Sequence, residues 1–507
     1  MKRHGVLLVL SNLLIIFLFG CAIDVSSFLS SPVKISSNEE FDVFEDVTKW
    51  TPIFGEVAED NEFFRSGTQS IMQSRIEPGV VDAKRKININ FGSAPRLRIN
   101  IYFHDTPATL AIIFSSQNDF KSHFITRIGY PKQALKLGWN IVDIYPEQWE
   151  MNAGEDWTKT MKGMRIRIEP QEGEIAPHVS WDKMVVNPDG VPGVMLTFDD
   201  CLVSTYLKAF NYMKTKEARG TAYIITDRIG RQPTCLTVDQ LIEMDSYGWS
   251  IANHSRLHNK PLTEYSLFEI ESQLRDAKNA LDDWGLTKAS AHVAYPWGRW
   301  DLNVLQAMRS TGMLTGRVTE HLYHVVWTPE GRDYFIGTRM VGAEHTVEDV
   351  KSWIDEALSN QRIIGLCFHD LVDTNKGKMQ WLTEDFIEIV DYISEKNLPF
   401  ITINDYHALA MTNTLPINDV YVTQIDEELV VSAPGVTEND YFLEEPPISV
   451  ELVKLVDGGT GTLIFNDDGS FTYKPPSGWI GEASFQYRIC VDKNCTESVY
   501  VFINVIE

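Results

Sequence analysis

At 507 residues the chain is longer than one hydrophobic core usually serves, so roughly two to four domains are expected. Its 70 acidic residues against 45 basic ones leave a formal charge of −25, which argues against nucleic acid or an anionic lipid surface as a partner. That charge leaves cationic or neutral partners open and says nothing about fold.

The first residues, Lys2, Arg3 and His4, precede an apolar run from Val6 to Phe19 and then Gly20-Cys21. This is the layout of a secretory signal, and the run is too short to span a membrane comfortably. Leu18-Phe19-Gly20-Cys21 resembles the lipobox of bacterial lipoproteins, which implies cleavage over 1–21, a lipid on Cys21 and export to the cell envelope with a membrane anchor. An ordinary cleaved signal with a chance Cys is the alternative. Residues 22–38, rich in serine and without a sustained period, read as a tether.

Residues 39–189 show short alternating stretches, among them Lys86–Phe91, Arg96–Phe103 and Met164–Ile168, separated by Gly, Pro, Asn and Asp. Period two with turns at this spacing predicts a β-sandwich with one buried face per sheet. Phe44-Glu45-Asp46 and Trp181-Asp182 resemble the paired ends of jelly-roll carbohydrate-binding modules, some of which hold a structural Ca²⁺ there. Trp50, Trp139, Trp149 and Trp157 are candidates either to stack on sugar rings or to fill the core.

Over 190–410 buried strands are expected at Gly193–Phe198, Thr221–Thr226, Ser250–Asn253, Ala291–Tyr295, Ile363–Phe368 and Pro399–Ile403. Helical periodicity falls between them at Thr237–Asp245, Ser266–Trp284, Val347–Ser359 and Leu382–Lys396. Strand alternating with helix implies parallel pairing and, with this many repeats, a barrel or near-barrel. Asp199-Asp200, His254, His258 and His369-Asp370 all fall at strand carboxyl ends, so a barrel would bring them to one mouth. Two His at i, i+4 on one helical turn can reach one metal, and an Asp with two His suits Zn²⁺ or a similar cation.

The constellation resembles the polysaccharide deacetylases of the NodB-homology type, carbohydrate esterase family four. The residues that carry the resemblance are Thr197-Phe198-Asp199-Asp200-Cys201, His254-Ser255-Arg256-Leu257-His258, Tyr295-Pro296-Trp297-Gly298 and Cys367-Phe368-His369-Asp370, in the family's order. It implies that Asp200, His254 and His258 hold a divalent metal, Zn²⁺ before others. Asp199 is then the general base, His369 the general acid, and a backbone N–H near Trp297 stabilises the oxyanion. The substrate implied is an N-acetylated cell-surface or extracellular polysaccharide.

Three departures stand out. Cys201 replaces the family's Gly, so the backbone either does without positive φ there or is strained, and its thiol stands close enough to ligate or oxidise. Ala294 replaces an Arg that partners the base, and Arg339 is the candidate substitute, reaching Asp199 from another strand. Cys367 replaces Leu in the lining of the acetyl pocket. The family's acid-orienting Asp-x-x-Asp-Trp motif is not evident, which leaves the partner of His369 open.

Residues 411–507 again alternate, in Leu429–Val436, Gly461–Pro475 and Ser484–Arg488, with Asp-Gly turns. They resemble bacterial cadherin-like or Ig-like repeats. Asp426-Glu427-Glu428 and Asp467-Asp468 are candidate Ca²⁺ turns or solvated ones. Cys490 and Cys495 flank a short turn and are placed to cross-link a hairpin, whereas Cys201, Cys235 and Cys367 read as unpaired. The expected architecture is multidomain: a central α/β deformed (β/α) barrel flanked by an N-terminal jelly-roll-like β-sandwich and a C-terminal Ig-like β-sandwich. Two rivals stay open, an O-acetyl esterase acting on xylan-like polymers and a surface adhesin that binds glycan without cleaving it.

Overall fold

The computed structural model describes residues 33–34, 39–41 and 44–507, apart from 130–134, 320–324, 328–332, 375–376, 443–447, 457–460 and 492–493. The segment expected to be a signal, Cys21 included, and most of the expected tether lie outside the described residues. Among those described, no helix is long and apolar enough to cross a membrane.

The N-terminal part forms two seven-stranded sheets, one of them completed by Val325–Trp327 from the central region. One runs through Val81–Asn90, Met161–Glu169, Thr109–Ser115 and His123–Ile128; the other through Gly138–Ile144, Leu97–Phe103, Val179–Val186 and Ser70–Ser74. Alternation decides which side chains face inwards: Ile166 and Ile168 are buried while Arg165 and Arg167 point out. Ile112, Phe114, Ile99, Ile101, Phe103 and Trp181 complete the shared core. Three of the four tryptophans are part of that packing. Trp50 stacks on Phe44 at 5.7 Å, Trp157 stacks on Phe124 at 3.9 Å, and Trp149 meets Trp157 at 5.3 Å. Trp139 instead lies partly exposed beside Tyr102 and Arg65.

The central sheet starts with β1 (Gly193–Phe198), β2 (Thr221–Ile224), β3 (Ser250–Asn253), β4 (His292–Ala294) and β5 (Thr315–Val318). It ends with β6 (Asp333–Gly337), β7 (Arg339–Met340) and β8 (Ile363–Phe368). Every pairing among them is parallel, in the order β6-β5-β4-β3-β2-β1-β8-β7. The two edges are consecutive pieces of chain with only Thr338 between them. One extended segment therefore pairs β5 with its first half and β8 with its second, and this closes the ring covalently.

Helices α1 (Val238–Ser246), α2 (Leu267–Asp283), α3 (Leu302–Ser310), α4 (Val347–Ser359) and α5 (Thr383–Glu395) cover the outside. Pro399–Ile403 is not a strand. It makes one bridge, Phe400 to Val194, because Thr402 already caps the helix that begins at Ile403.

The described residues of 414–507 form a five-stranded, a three-stranded and a two-stranded sheet, with Phe471, Phe485, Tyr487 and Val501 in the core. Cys490 and Cys495 are joined across facing strands, their Cα atoms 4.0 Å apart.

Candidate active site

β1 is wholly buried and delivers Asp199 and Asp200 where the backbone turns sharply; both Asp200 and Cys201 are left-handed, with φ 68° and 59°. The position thus does require a positive φ although it is not glycine. Cys201 is not a free thiol, as the sequence suggested, but is joined to Cys235, 34 residues on, with Cα atoms 5.1 Å apart. The pairing escaped notice because the two cysteines meet only once β1 and the loop before α1 are folded side by side. Among the described residues, Cys367 is the one free cysteine; it is buried, and burial pushes its thiol well above the usual range.

His254 and His258 follow β3, and their rings stand 4.8 Å apart. They do not ride a helical turn, as their spacing predicted. Ser255 is left-handed, with φ 63°, and its N–H donates to Asn253 Oδ1 at 2.7 Å in an Asx turn, which makes the segment a loop. Gln273 on α2 steadies that loop by accepting from the Leu257 N–H at 3.0 Å.

Asp200 Oδ1 lies 3.7 Å from His254 Nε2 and 3.7 Å from His258 Nε2. The other nitrogen of His254, Nδ1, is 2.9 Å from the Ala294 carbonyl, which fixes the proton there and leaves Nε2 with its lone pair facing Asp200. Burial pushes the His254 pKa down to about 4 against the pull of Asp199, so the imidazole is neutral near pH 7. Burial likewise lowers His258, against the pull of Asp200. A carboxylate oxygen and two neutral imidazole nitrogens spaced in this way fit a cation bound about 2.0–2.2 Å from each, since tetrahedral ligands at that range are about 3.4 Å apart.

Asp199 is 3% exposed. Burial raises its pKa, but the Arg317 guanidinium, together with His254 and His369, more than offsets this and holds it well below the usual carboxylate range. Arg317 Nη2 donates to Asp199 Oδ2, and the guanidinium lies 5.1 Å from the Tyr223 ring centre. Arg339 is not that partner; it binds Glu356 at 3.0 Å and lies over Trp353. β7 carries it to the outer side of the ring, whereas β5 aims Arg317 inwards. The register explains the exchange: Arg317 is the strand neighbour of Ala294, so the cation missing from β4 is supplied one strand over. Thr315–Val318 is buried along its whole length, but its sequence, Thr-Gly-Arg-Val, carries no apolar run to mark it as a strand, so little in the sequence pointed to Arg317.

His369, at the end of β8, belongs to a group with Asp199 and Cys367 whose ligating atoms all lie within 4.8 Å of one another. Its Nδ1 is buried without a hydrogen-bond partner. Asp370 beside it accepts from Ser204 Oγ at 2.7 Å and Gln380 Nε2 at 2.9 Å. Tyr295 is buried, and its hydroxyl donates to the Tyr334 carbonyl at 3.0 Å, which makes it a packing residue. Pro296 begins a short turn in which Trp297 is left-handed, with φ 63°. Trp297 is 60% exposed, and its ring is stacked against that of His258 at 5.8 Å.

Elsewhere the carboxylates considered for Ca²⁺ bond to nearby donors. Glu45 accepts from Thr68, Asp182 from the Arg65 N–H, Asp426 from the Gly478 N–H and Asp468 from Ser470. Among the described residues, none of them belongs to a group of three or more potential metal ligands.

Fold and site together define an α/β barrel that gathers an Asp-His-His ligand set and an Asp/His pair at one mouth. Two family models match the chain. Residues 187–316 match the polysaccharide deacetylase model and residues 413–504 the bacterial Ig domain model, so the chain carries a polysaccharide deacetylase domain followed by an Ig domain. YxkH of Bacillus subtilis (strain 168), provisionally named a polysaccharide deacetylase, is 30% identical over 127 residues. The match covers 25% of this chain and 44% of that protein, so the chain spans less than half the length of its curated relative. Among solved structures, the Streptococcus pyogenes deacetylase PplD in complex with acetate is 24% identical, covering 29% of this chain and 63% of that one, with a TM-score of 0.26. A family 4 carbohydrate esterase from Streptomyces lividans, also in complex with acetate, is 16% identical over 42% of this chain and 92% of its own, with a TM-score of 0.29.

Proposed function

We propose that this chain is a metal-dependent deacetylase that hydrolyses acetyl groups from an N-acetylated cell-surface or extracellular polysaccharide and releases acetate. The observation that carries the reading is the placing of Asp200 Oδ1 at 3.7 Å from both imidazole nitrogens, with Asp199 and His369 beside that set. A divalent cation held by Asp200, His254 and His258, Zn²⁺ by the nature of the donors, would supply Lewis acidity towards the carbonyl and towards water.

The chain's own residues supply the rest. Asp199 is ionised near pH 7, and its Oδ1 is buried with no hydrogen-bond partner while Oδ2 is tied to Arg317, so Oδ1 is the atom that takes the proton of the attacking water. His369 gives a proton to the departing nitrogen; an amine leaves poorly without one. Trp297 offers an exposed ring against which a sugar can lie. Export and lipid anchorage through Cys21 fit an envelope substrate. The N-terminal sheets, read as a jelly-roll-like carbohydrate-binding module, and the Ig domain would position the barrel on it.

Acetate release from an N-acetylglucosamine oligomer, measured beside acetylated xylan with Zn²⁺-loaded full-length protein, tests the reading. Release from the oligomer is expected, lost on chelation and reduced about 10²–10⁴-fold in Asp199→Asn. Release from xylan alone would make the chain an O-acetyl esterase, and no hydrolysis of either would make it a glycan-binding scaffold.

A further inference from the structure

Asp200 and Cys201 are consecutive non-glycine residues in the left-handed region, and among the described residues no other adjacent pair of non-glycine residues is. L residues resist that conformation because Cβ crowds the following carbonyl. Yet this turn carries the carboxylate that would meet both imidazoles, so its backbone decides where Asp200 points.

Three features hold the turn from one side. Cys201 is covalently joined to Cys235. The Cys201 carbonyl accepts from the Leu236 N–H at 2.8 Å, and the Val203 N–H donates to the Thr234 carbonyl at 2.8 Å, with Leu202 bridging Cys235. The segment 234–236 is thus a short splint laid along 201–203. The two hydrogen bonds hold the backbone on the carboxyl side of Cys201, and the cross-link adds a restraint at its Cβ.

We infer that the Cys201–Cys235 cross-link is a positioning device that does the work of glycine. It keeps a non-glycine residue left-handed and so keeps Asp200 aimed at His254 and His258. This rests on the metal reading given above. Without the cross-link, position 201 would drift towards negative φ, the ligand-competent population would shrink, and the apparent metal affinity would fall by the same fraction.

The test compares three full-length chains: wild type, Cys201→Ala/Cys235→Ala and Cys201→Gly/Cys235→Ala. The two variants lack the same sulfurs and differ from each other by one Cβ. Zn²⁺ alone is titrated into the metal-stripped proteins against a chromogenic chelator, Co²⁺ absorption reports ligand geometry, and circular dichroism checks folding. The alanine pair should bind Zn²⁺ about tenfold more weakly than wild type, with a perturbed Co²⁺ spectrum. The glycine pair should recover affinity to within about threefold, with a wild-type spectrum.

A glycine pair that folds and binds while the alanine pair does not fold also supports the inference. Wild-type affinity in the alanine pair overturns it, as does equal weakening in both variants or failure of both to fold. A wild-type chain that takes up no Zn²⁺ overturns the metal reading itself, and the positioning role falls with it.

Discussion

Arg317 is a guanidinium with no exposed side-chain surface, set against a carboxylate that is itself buried. Breaking such a pair from one side strands a charge, which costs about 3–5 kcal/mol, whereas the partly exposed Arg339–Glu356 pair is worth on the order of 1 kcal/mol or less. Arg317→Met should therefore reduce deacetylation at least about 100-fold, and Arg339→Ala should leave it within about threefold of wild type, both read as kcat/KM. The acid limb gives a second reading. Asp199 has a depressed folded pKa, so its contribution to stability is present above the unfolded value near 3.8 and is lost as pH falls through the folded one. Arg317→Met raises that folded value, and the acid limb of activity should move to higher pH. His254 acts in a different window. Its folded pKa of about 4 lies below the ordinary 6.5, so the unfolded chain takes up a proton that the metal-free folded chain refuses. Between about pH 6.5 and 4 the metal-free protein should lose on the order of 2–3 kcal/mol, seen as a falling Tm. Bound Zn²⁺ should make the loss steeper, because protons compete for its ligands. At this scale the sequence revealed the residues that carry named chemistry in ordered motifs. It hid Arg317 because cross-strand neighbourhood between Ala294 and position 317 is a property of register, and periodicity carries no register between β4 and β5.

The long elements were legible for a local reason. Helices α1, α2 and α4 each begin with a capping box, at Thr237, Ser266 and Thr346, in front of a clear apolar stripe. Ser266→Ala should lower global stability by about 1 kcal/mol in urea without moving Zn²⁺ affinity. Gln273→Leu on the same helix should move Zn²⁺ affinity as well as stability. It removes the acceptor for the Leu257 N–H inside the histidine loop, so Zn²⁺ affinity should fall about fivefold, consistent with the loss of one partly buried hydrogen bond. Of the short strands, β2, β3 and β4 were legible as apolar runs, whereas β5, β6 and β7 were not. β5 is four residues with a Gly and an Arg among them, and β6 and β7 are five and two residues of one extended segment that changes partners at Thr338, too little of either for a period to show. The helix-like spacing of His254 and His258 misled because an Asx turn can present i, i+4 side chains together as well as a helix does.

Across the whole molecule, the sandwich and the barrel are tied by Arg362, which is 6% exposed. It donates to Glu147 on the N-terminal side, binds Glu356 at 2.6 Å on the barrel side, and lies 5.1 Å from the Tyr145 ring. Arg96 adds a bond to the Asn360 carbonyl at 2.9 Å. Arg362→Ala would leave two carboxylates near one another without their shared cation, and should cost about 2–4 kcal/mol. Calorimetry should then show the thermal transitions of sandwich and barrel pulled apart. The tie has a second strand to it, in the literal sense. Val325–Trp327 leaves the crossover between β5 and β6 and pairs with Gly138–Ile144, completing a sheet that otherwise belongs to the N-terminal module. Cutting the chain near residue 190 to obtain the barrel alone would strip that segment of its neighbour and leave the sandwich with an uncovered rim. Each half would then present open backbone to any stranger that could add to it. An excised barrel is thus expected to clump where the intact chain stays dispersed, and a useful truncation would have to keep the first sheets or recode 325–327 with charge.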